Sequence, residues 1–301
     1  VDIDDYPYHS EAAQDLWARG VVGLVLMNPS INPAISDISY TEIMDLFLDI
    51  YDSDTSFAYQ GFDLQEAKHY NAISQASAIK KLLRRMQENP IHFPRVTHYD
   101  NIEFINGISK RSDISFSLNI NDLMHILCGV KRDGTLELNL TERLPELLEL
   151  FRMNKIYILS NNAIMEPLPE DVSEVYGGSD ISTMQYSYLW ILSELWKKRK
   201  YTLHSCIKMS SENPAKRLGI YPQKGCLDAG SDADFVIYDP SAVTITPYET
   251  ADSGPLQLSG AIKSVYIKGM EVYDGKDFKR NGGWLFRTHS PKRRHNNTTW
   301  I

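Results

Sequence analysis

Short apolar runs alternate with longer segments of helical periodicity through the first two thirds of the chain. Residues 21–27 and 156–160 are apolar over almost their whole length, which indicates strands buried on both faces. Residues 74–88 place apolar side chains on one face and lysine and arginine on the other, as an amphipathic helix does. This alternation is typical of parallel strands joined by crossover helices, and residues 56–60 predict a further strand of the same kind.

The pattern changes after Pro214. Helical periodicity gives way to β-branched runs separated by Gly, Asp and Pro, at residues 234–238, 242–246 and 262–267. Gly225 and Gly230 predict the turns that lead into the first of these runs. We therefore expect a small β unit appended to an α/β body, followed by a polar, basic tail. The three predicted segments are residues 1–210, 211–287 and 288–301.

Composition excludes several classes of protein. The 301 residues include 31 Lys and Arg against 39 Asp and Glu, so no excess of cations is available to neutralise nucleic-acid phosphates. No apolar run approaches the roughly 20 residues that a membrane span needs. The three cysteines, Cys128, Cys206 and Cys226, are widely spaced and form no CxxC pair, which suits a reducing compartment. We expect a cytoplasmic protein that binds neither nucleic acid nor membrane.

Residues 211–240 carry the most specific motif in the chain. Its parts are Asn-Pro-Ala-Lys at 213–216, Lys-Gly at 224–225 and Gly-Ser-Asp-Ala-Asp at 230–234. In this order and spacing they resemble the C-terminal signature of the cyclic amidohydrolases, which include dihydroorotases, hydantoinases, dihydropyrimidinases and allantoinases. The resemblance implies an α/β fold, a (β/α)8 TIM-type barrel with a small C-terminal β-sandwich part. Residues 61–71 are short for a complete βα unit, so an incomplete barrel stays open.

The resemblance also places other residues where the family has its metal site. Asp4 and Tyr6 stand at the two histidines of the first strand, and a phenol is a poor zinc ligand. Arg95 stands at a further ligand histidine, and a guanidinium repels a metal ion. Asn161 replaces an aspartate that is both ligand and general base. We expect a degenerate site without catalytic residues, zinc or another cofactor; Asn139, which resembles a substrate-contacting asparagine, is the one residual substrate-site candidate.

Two alternatives concern single side chains. The eight histidines show no HxH or HExxH spacing, but a rearranged site that uses Asp4, His92 or His98 stays open. Asp232 and Asp234 are acids that could take part in proton transfer. Turn and cap chemistry is the role that we expect for this pair.

The function that we predict from these residues is that of a catalytically inactive, dihydroorotase-like scaffold of pyrimidine biosynthesis. Its expected partners are carbamoyl phosphate synthetase and aspartate transcarbamoylase, as separate or fused chains. The alternative is an active metal-dependent cyclic amidohydrolase, of dihydroorotase or hydantoinase type, with an altered site. The helix at residues 185–196 carries Trp190 and Trp196 and more aromatic surface than one buried stripe needs, which predicts an interface in a homo-oligomer.

Overall fold

The computed structural model describes residues 23–27, 56–60, 72–85, 91–108, 114–130, 140–161, 182–250 and 254–279. These residues fall into two compact units. The first unit holds the described residues up to Phe116, and the second holds those from Ser117 onward. The segment boundaries at residues 210 and 287 stay a prediction.

The first unit is a parallel α/β arrangement. Its elements are β1 (Gly23–Met27), β2 (Ser56–Gln60), α1 (Ala72–Arg85), β3 (Ile91–Phe93), α2 (Tyr99–Ile108) and the beginning of β4 (Ile114–Asn119). β1 pairs with β2, β2 with β3, and β3 with β4, in each case in parallel. The strands predicted at residues 21–27 and 56–60 are therefore confirmed as parallel neighbours.

Two local features of this unit follow from single residues. α1 buries the apolar face that its periodicity predicts, with Ile79 and Leu82 almost completely covered. β3 ends at Phe93, directly before Pro94. Pro94 has no N–H to donate to a neighbouring strand, so regular pairing stops before it. The residues after Phe93 instead form the connection to α2.

The second unit begins with a direct change from strand to helix. Ser117–Asn119 of β4 pair in parallel with β5 (Ile158–Ser160), which confirms the strand predicted at residues 156–160. The side chain of Asn119 accepts a hydrogen bond of 2.8 Å from the backbone N–H of Asn121 and caps the next helix. The helices of this unit are α3 (Ile120–Cys128), α4 (Leu144–Arg152), α5 (Ser182–Trp190) with the π-helical turns Ile191–Lys198, and α6 (Leu203–Ile207) with the π-helical turn Lys208–Glu212, which runs into α7 (Asn213–Arg217).

The C-terminal β unit is a three-stranded antiparallel sheet. Its strands are β6 (Phe235–Thr250), β7 (Gly254–Ile267) and β8 (Met270–Tyr273), in that order. The runs predicted at 234–238 and 242–246 are one strand, because the pairing with β7 shifts register between Asp239 and Val243 and accommodates Pro240 there. A β unit at this place is confirmed; a β-sandwich stays a prediction.

The long aromatic helix formed by α5 and its π-helical turns packs inside its own unit. Trp190 is fully buried, and Trp196 meets Tyr238 edge to face at 6.0 Å between ring centroids. Tyr186 makes a similar contact with Tyr248 at 5.8 Å. Contacts with β6 therefore cover part of this aromatic surface, and an oligomer interface on this helix stays a prediction. None of the helices in the described residues is long and apolar enough to cross a membrane.

Candidate active site

The connection between β3 and α2 is a buried polar segment held by one glutamine. All of residues 94–98 are buried, although connections normally lie at the surface. Gln75 of α1 donates from Nε2 to the carbonyl of Arg95 at 3.2 Å. Its Oε1 accepts from the backbone N–H of Thr97 at 3.2 Å and from Nδ2 of Asn101 at 3.0 Å. One side chain on α1 thus fixes the path of the chain beyond the carboxyl end of β3.

His98 is the most deeply buried titratable group of this segment. Its side chain is 0% exposed, and its Nδ1 lies 2.8 Å from Oγ1 of Thr97. Burial lowers the pKa of His98 to about 4, although the carboxylate of Asp100 acts in the opposite direction. The imidazole is therefore neutral near pH 7. Among the described residues no hydrogen-bond partner meets its buried Nε2, an arrangement that costs a folded protein about 1–3 kcal/mol.

Arg95 lies two residues beyond β3 and is 8% exposed. A guanidinium keeps its positive charge at every physiological pH, so the end of β3 carries a buried cation. The side chain of His92, within β3, bonds the neighbouring strand: its Nδ1 lies 2.9 Å from Oγ of Ser115 on β4. Of the residues considered for a rearranged site, His92 and His98 each bond a neighbouring hydroxyl, and Asp4 lies outside the described residues.

Asn161 is the first residue after β5 in the second unit. Its Nδ2 donates to Oγ of Ser187 on α5 at 2.7 Å, and the neighbouring Ser160 lies 3.0 Å from Ser117, hydroxyl to hydroxyl. An uncharged amide accepts hydrogen bonds but takes up no proton near neutrality, so Asn161 is not a general base. Asp4, Tyr6 and Asn139 lie outside the described residues, and their predicted roles stay predictions.

The described donor atoms do not fit a two-zinc centre. No group of three or more His, Cys, Asp or Glu side chains converges anywhere in the described ranges. At the two described positions that the resemblance assigns to ligands, Arg95 has no lone pair to offer and Asn161 has only an amide oxygen. We derive no chemical step through a metal.

The lysine and the two aspartates of the signature segment are structural. Lys224 forms ion pairs with Asp232, at 2.8 Å, and with Asp234. The hydrogen bond from Lys224 is the main reason that the pKa of Asp232 lies below its ordinary value. Asp234 also accepts a hydrogen bond of 2.8 Å from the backbone N–H of Lys268, in the turn between β7 and β8. The turn role expected for the two acids agrees with these contacts.

The remaining motif residues join helix to strand. Asn213 donates from Nδ2 to the carbonyl of Tyr157, next to the first residue of β5, at 2.7 Å. Gly225 has a positive φ of 86°, and a Cβ placed on it would lie 2.6 Å from Cβ of Ala215. The Asn-Pro-Ala-Lys and Lys-Gly pieces therefore meet in space, which gives a physical reason for their fixed spacing.

Comparison with known proteins agrees with this architecture. The sequence model of the amidohydrolase family matches residues 174–273. A D-hydantoinase from Geobacillus stearothermophilus is 31% identical over 121 residues, which cover 38% of this chain and 25% of that protein. An allantoinase from Streptomyces avermitilis is 27% identical over 161 residues, which cover 51% of this chain and 31% of that protein. The chain thus spans about a quarter to a third of the length of these two relatives.

The likeness in fold extends further than the likeness in sequence. The crystal structure of a dihydropyrimidinase from Brevibacillus agri NCHU1002 superposes with a TM-score of 0.69 over 90% of this chain and 67% of that chain, at 15% identity. Such low identity shows the fold alone. The chain therefore shares its fold with these dihydropyrimidinase and hydantoinase structures, and its described parallel strands form a five-stranded sheet; a complete (β/α)8 barrel stays a prediction.

The expectation of a catalytically inactive protein is wrong. The relatives that match are named hydantoinase and allantoinase, which are active cyclic amide hydrolases, and no described residue shows inactivity. That expectation treated four substituted positions as evidence that catalysis is lost. Of these, Asp4 and Tyr6 lie outside the described residues, and substitution at the other two does not establish that the reaction is lost. The chain therefore carries an amidohydrolase-family segment at residues 174–273 on a hydantoinase-like fold.

Proposed function

We propose that the protein hydrolyses a cyclic amide of the hydantoin, dihydropyrimidine, allantoin or dihydroorotate class. In this reaction water adds to a ring carbonyl and the ring C–N bond breaks. The carbonyl carbon becomes a carboxylate, and the ring nitrogen leaves as the N–H of a ureido or amide group. Water is the only co-reactant, and no oxidant or reductant is needed.

One observation carries this proposal. An amidohydrolase-family segment lies in a chain whose fold superposes on a cyclic-amide hydrolase over 90% of its length. Asn213 of this segment donates a hydrogen bond to the carbonyl of Tyr157, which lies outside the segment, so the segment packs as part of the second unit. The family match covers 100 of the 301 residues, so the substrate and the activity of the whole protein are part of the proposal.

A panel assay tests the proposal. Purified protein is incubated with hydantoin, 5,6-dihydrouracil, allantoin and dihydroorotate, each without added metal and with added zinc, manganese or cobalt. Mass spectrometry of the small molecules detects ring opening as the gain of one water. We expect turnover of at least one ring well above that of a mock preparation from cells lacking the gene. No turnover of any ring, under every metal condition, would refute the proposal.

Zinc content is a separate prediction. We expect no stoichiometric zinc, because the buried cation of Arg95 opposes a metal ion at the end of β3. Elemental analysis of protein purified without chelator measures it. One or more zinc ions per chain would contradict the expectation and would leave the hydrolysis proposal intact.

Assembly also stays a prediction. We propose a homo-oligomer that associates with aspartate transcarbamoylase or carbamoyl phosphate synthetase. Light scattering of the chain, alone and mixed with each partner, tests this. A monomer that binds neither partner would refute the assembly and would not bear on hydrolysis.

A further inference from the structure

The buried segment after β3 has two features that bear on ligand binding. It lies at the carboxyl end of a parallel strand, which is where barrels of this fold class carry their chemistry. It is also polar: Gln75, Thr97, His98 and Asn101 are all at most 3% exposed. Buried polar groups normally satisfy one another completely. Among the buried side-chain nitrogen and oxygen atoms of these four residues, one atom has no hydrogen-bond partner within the described residues.

That atom is Nε2 of His98. The ring is held on its other side, because Nδ1 bonds Oγ1 of Thr97 and the backbone N–H of Thr97 is held by Gln75. Anchoring one ring nitrogen fixes the orientation of the imidazole and leaves the other nitrogen aimed in a defined direction. Among the described residues no partner occupies that direction. A fixed ring with one unoccupied nitrogen is an arrangement suited to receiving a group from outside.

The chemistry of the missing partner follows from the charge state of the ring. Burial keeps His98 neutral at physiological pH, so an ionic partner would gain no ion pair from it. A neutral imidazole nitrogen either donates or accepts, and the Thr97 hydroxyl is compatible with both tautomers. A ring amide presents an adjacent N–H and C=O and therefore matches Nε2 in either state.

We propose that Nε2 of His98 hydrogen-bonds the uncharged amide group of a cyclic amide bound at the carboxyl end of β3, with Thr97 and Gln75 as positioning residues. This inference rests on the proposed function, since it names a substrate contact of that reaction. Nε2 is buried, so the ligand reaches it only when the side chains around it part. Binding is then slower than diffusion, and the contact forms away from water.

Two substitutions at His98 test the roles of its two ring nitrogens separately. The amide of asparagine reaches about as far as Nδ1, whereas the amide of glutamine reaches about as far as Nε2. His98→Asn should therefore keep the bond to Thr97 and lose the ligand contact, and His98→Gln should keep the ligand contact. We expect His98→Asn to raise the Kd for hydantoin or 5,6-dihydrouracil about tenfold, which corresponds to about 1.4 kcal/mol. His98→Gln should stay within about threefold of the unchanged protein.

A second measurement needs no variant. In protein labelled with ¹⁵N-histidine, the Nε2 resonance of His98 should move when hydantoin or 5,6-dihydrouracil is added, and that of His125 should stay. His125 is a suitable internal control, because its Nδ1 is already bonded to the carbonyl of Val130 in the second unit at 2.8 Å. Both measurements read binding, so they remain informative if the protein turns over no substrate.

The possible results distinguish the His98 contact from the proposed hydrolysis. Binding that moves the His98 resonance and weakens in His98→Asn supports the contact, even where no ring is opened and the proposed function fails. Ring opening with an unchanged Kd in His98→Asn and an unmoved resonance would overturn the contact while hydrolysis stands. A gain in stability of His98→Asn without any change in binding would also overturn it, because His98 would then be only an unsatisfied buried group.

Discussion

Replacing Gly225 by alanine tests how two parts of the signature segment, residues 211–215 and Gly225, pack against each other. Gly225 has a φ of 86°, a conformation that a residue with a Cβ rarely adopts. The added methyl would lie 2.6 Å from Cβ of Ala215, 3.0 Å from the carbonyl oxygen of Ser211 and 3.2 Å from Cα of Glu212. Two of these three atoms are backbone, so they cannot move out of the way by rotating a side chain.

The expected loss in the free energy of unfolding is the sum of two effects. A left-handed conformation costs a non-glycine residue about 1–2 kcal/mol. Forcing a methyl into a packed site costs about 1–3 kcal/mol more. We expect Gly225→Ala to lower the free energy of unfolding by about 2–5 kcal/mol, a large part of the roughly 5–15 kcal/mol that a folded protein has. Gly230→Ala is the matched control: its φ is 99° but no atom lies within 4 Å of the added Cβ, so it should cost only about 1–2 kcal/mol.

Urea unfolding followed by tryptophan fluorescence measures both variants, because Trp190 is fully buried in the same unit. Adding Ala215→Gly to Gly225→Ala should recover part of the loss, since it removes the nearest atom of the clash. Ala215→Gly alone should cost about 1 kcal/mol of helix stability. Equal losses in Gly225→Ala and Gly230→Ala, or strictly additive losses in the double variant, would refute the packing argument.

Three further predictions concern charge, thiol chemistry and metal binding. Lys224→Met should cost about 1–3 kcal/mol at pH 7, and the difference from the unchanged protein should shrink as pH falls below about 4. The pKa of Asp232 is lower in the folded than in the unfolded protein. Its ion pair with Lys224 therefore contributes fully to stability above about pH 5 and loses this contribution on acidification. Chemical unfolding at several pH values across this range measures the difference in stability. Iodoacetamide at pH 8 should modify Cys226 before Cys128, because burial raises the pKa of Cys128 to about 11, and peptide mass spectrometry with a Cys226→Ser control reads the site. Asn161→Asp should not raise the zinc content, because one carboxylate does not assemble a metal centre; zinc bound stoichiometrically by this variant alone would contradict the prediction.

Part of the candidate site was readable from the sequence and part was not. The resemblance of residues 211–240 to the cyclic amidohydrolases identified the fold, and the family match at residues 174–273 agrees with it. The inference from substituted ligands to lost activity failed, because a residue type at one aligned position does not determine what the assembled site does. Gln75 gave no signal in the sequence, since a single glutamine on an amphipathic helix is ordinarily a surface residue.

The sequence by itself determined the alternation of strands and helices, the β unit after Pro214 and the need for a turn at Gly225. These features depend on periodicity and on backbone freedom, which are local properties of the chain. Only the tertiary structure decided that Trp190 is buried, that Ala215 packs against Gly225 and that Gln75 holds the segment containing His98. Each of these contacts joins residues at least ten positions apart or depends on the whole packed unit. Burial and long-range hydrogen bonds arise only when distant segments meet, so no local pattern encodes them.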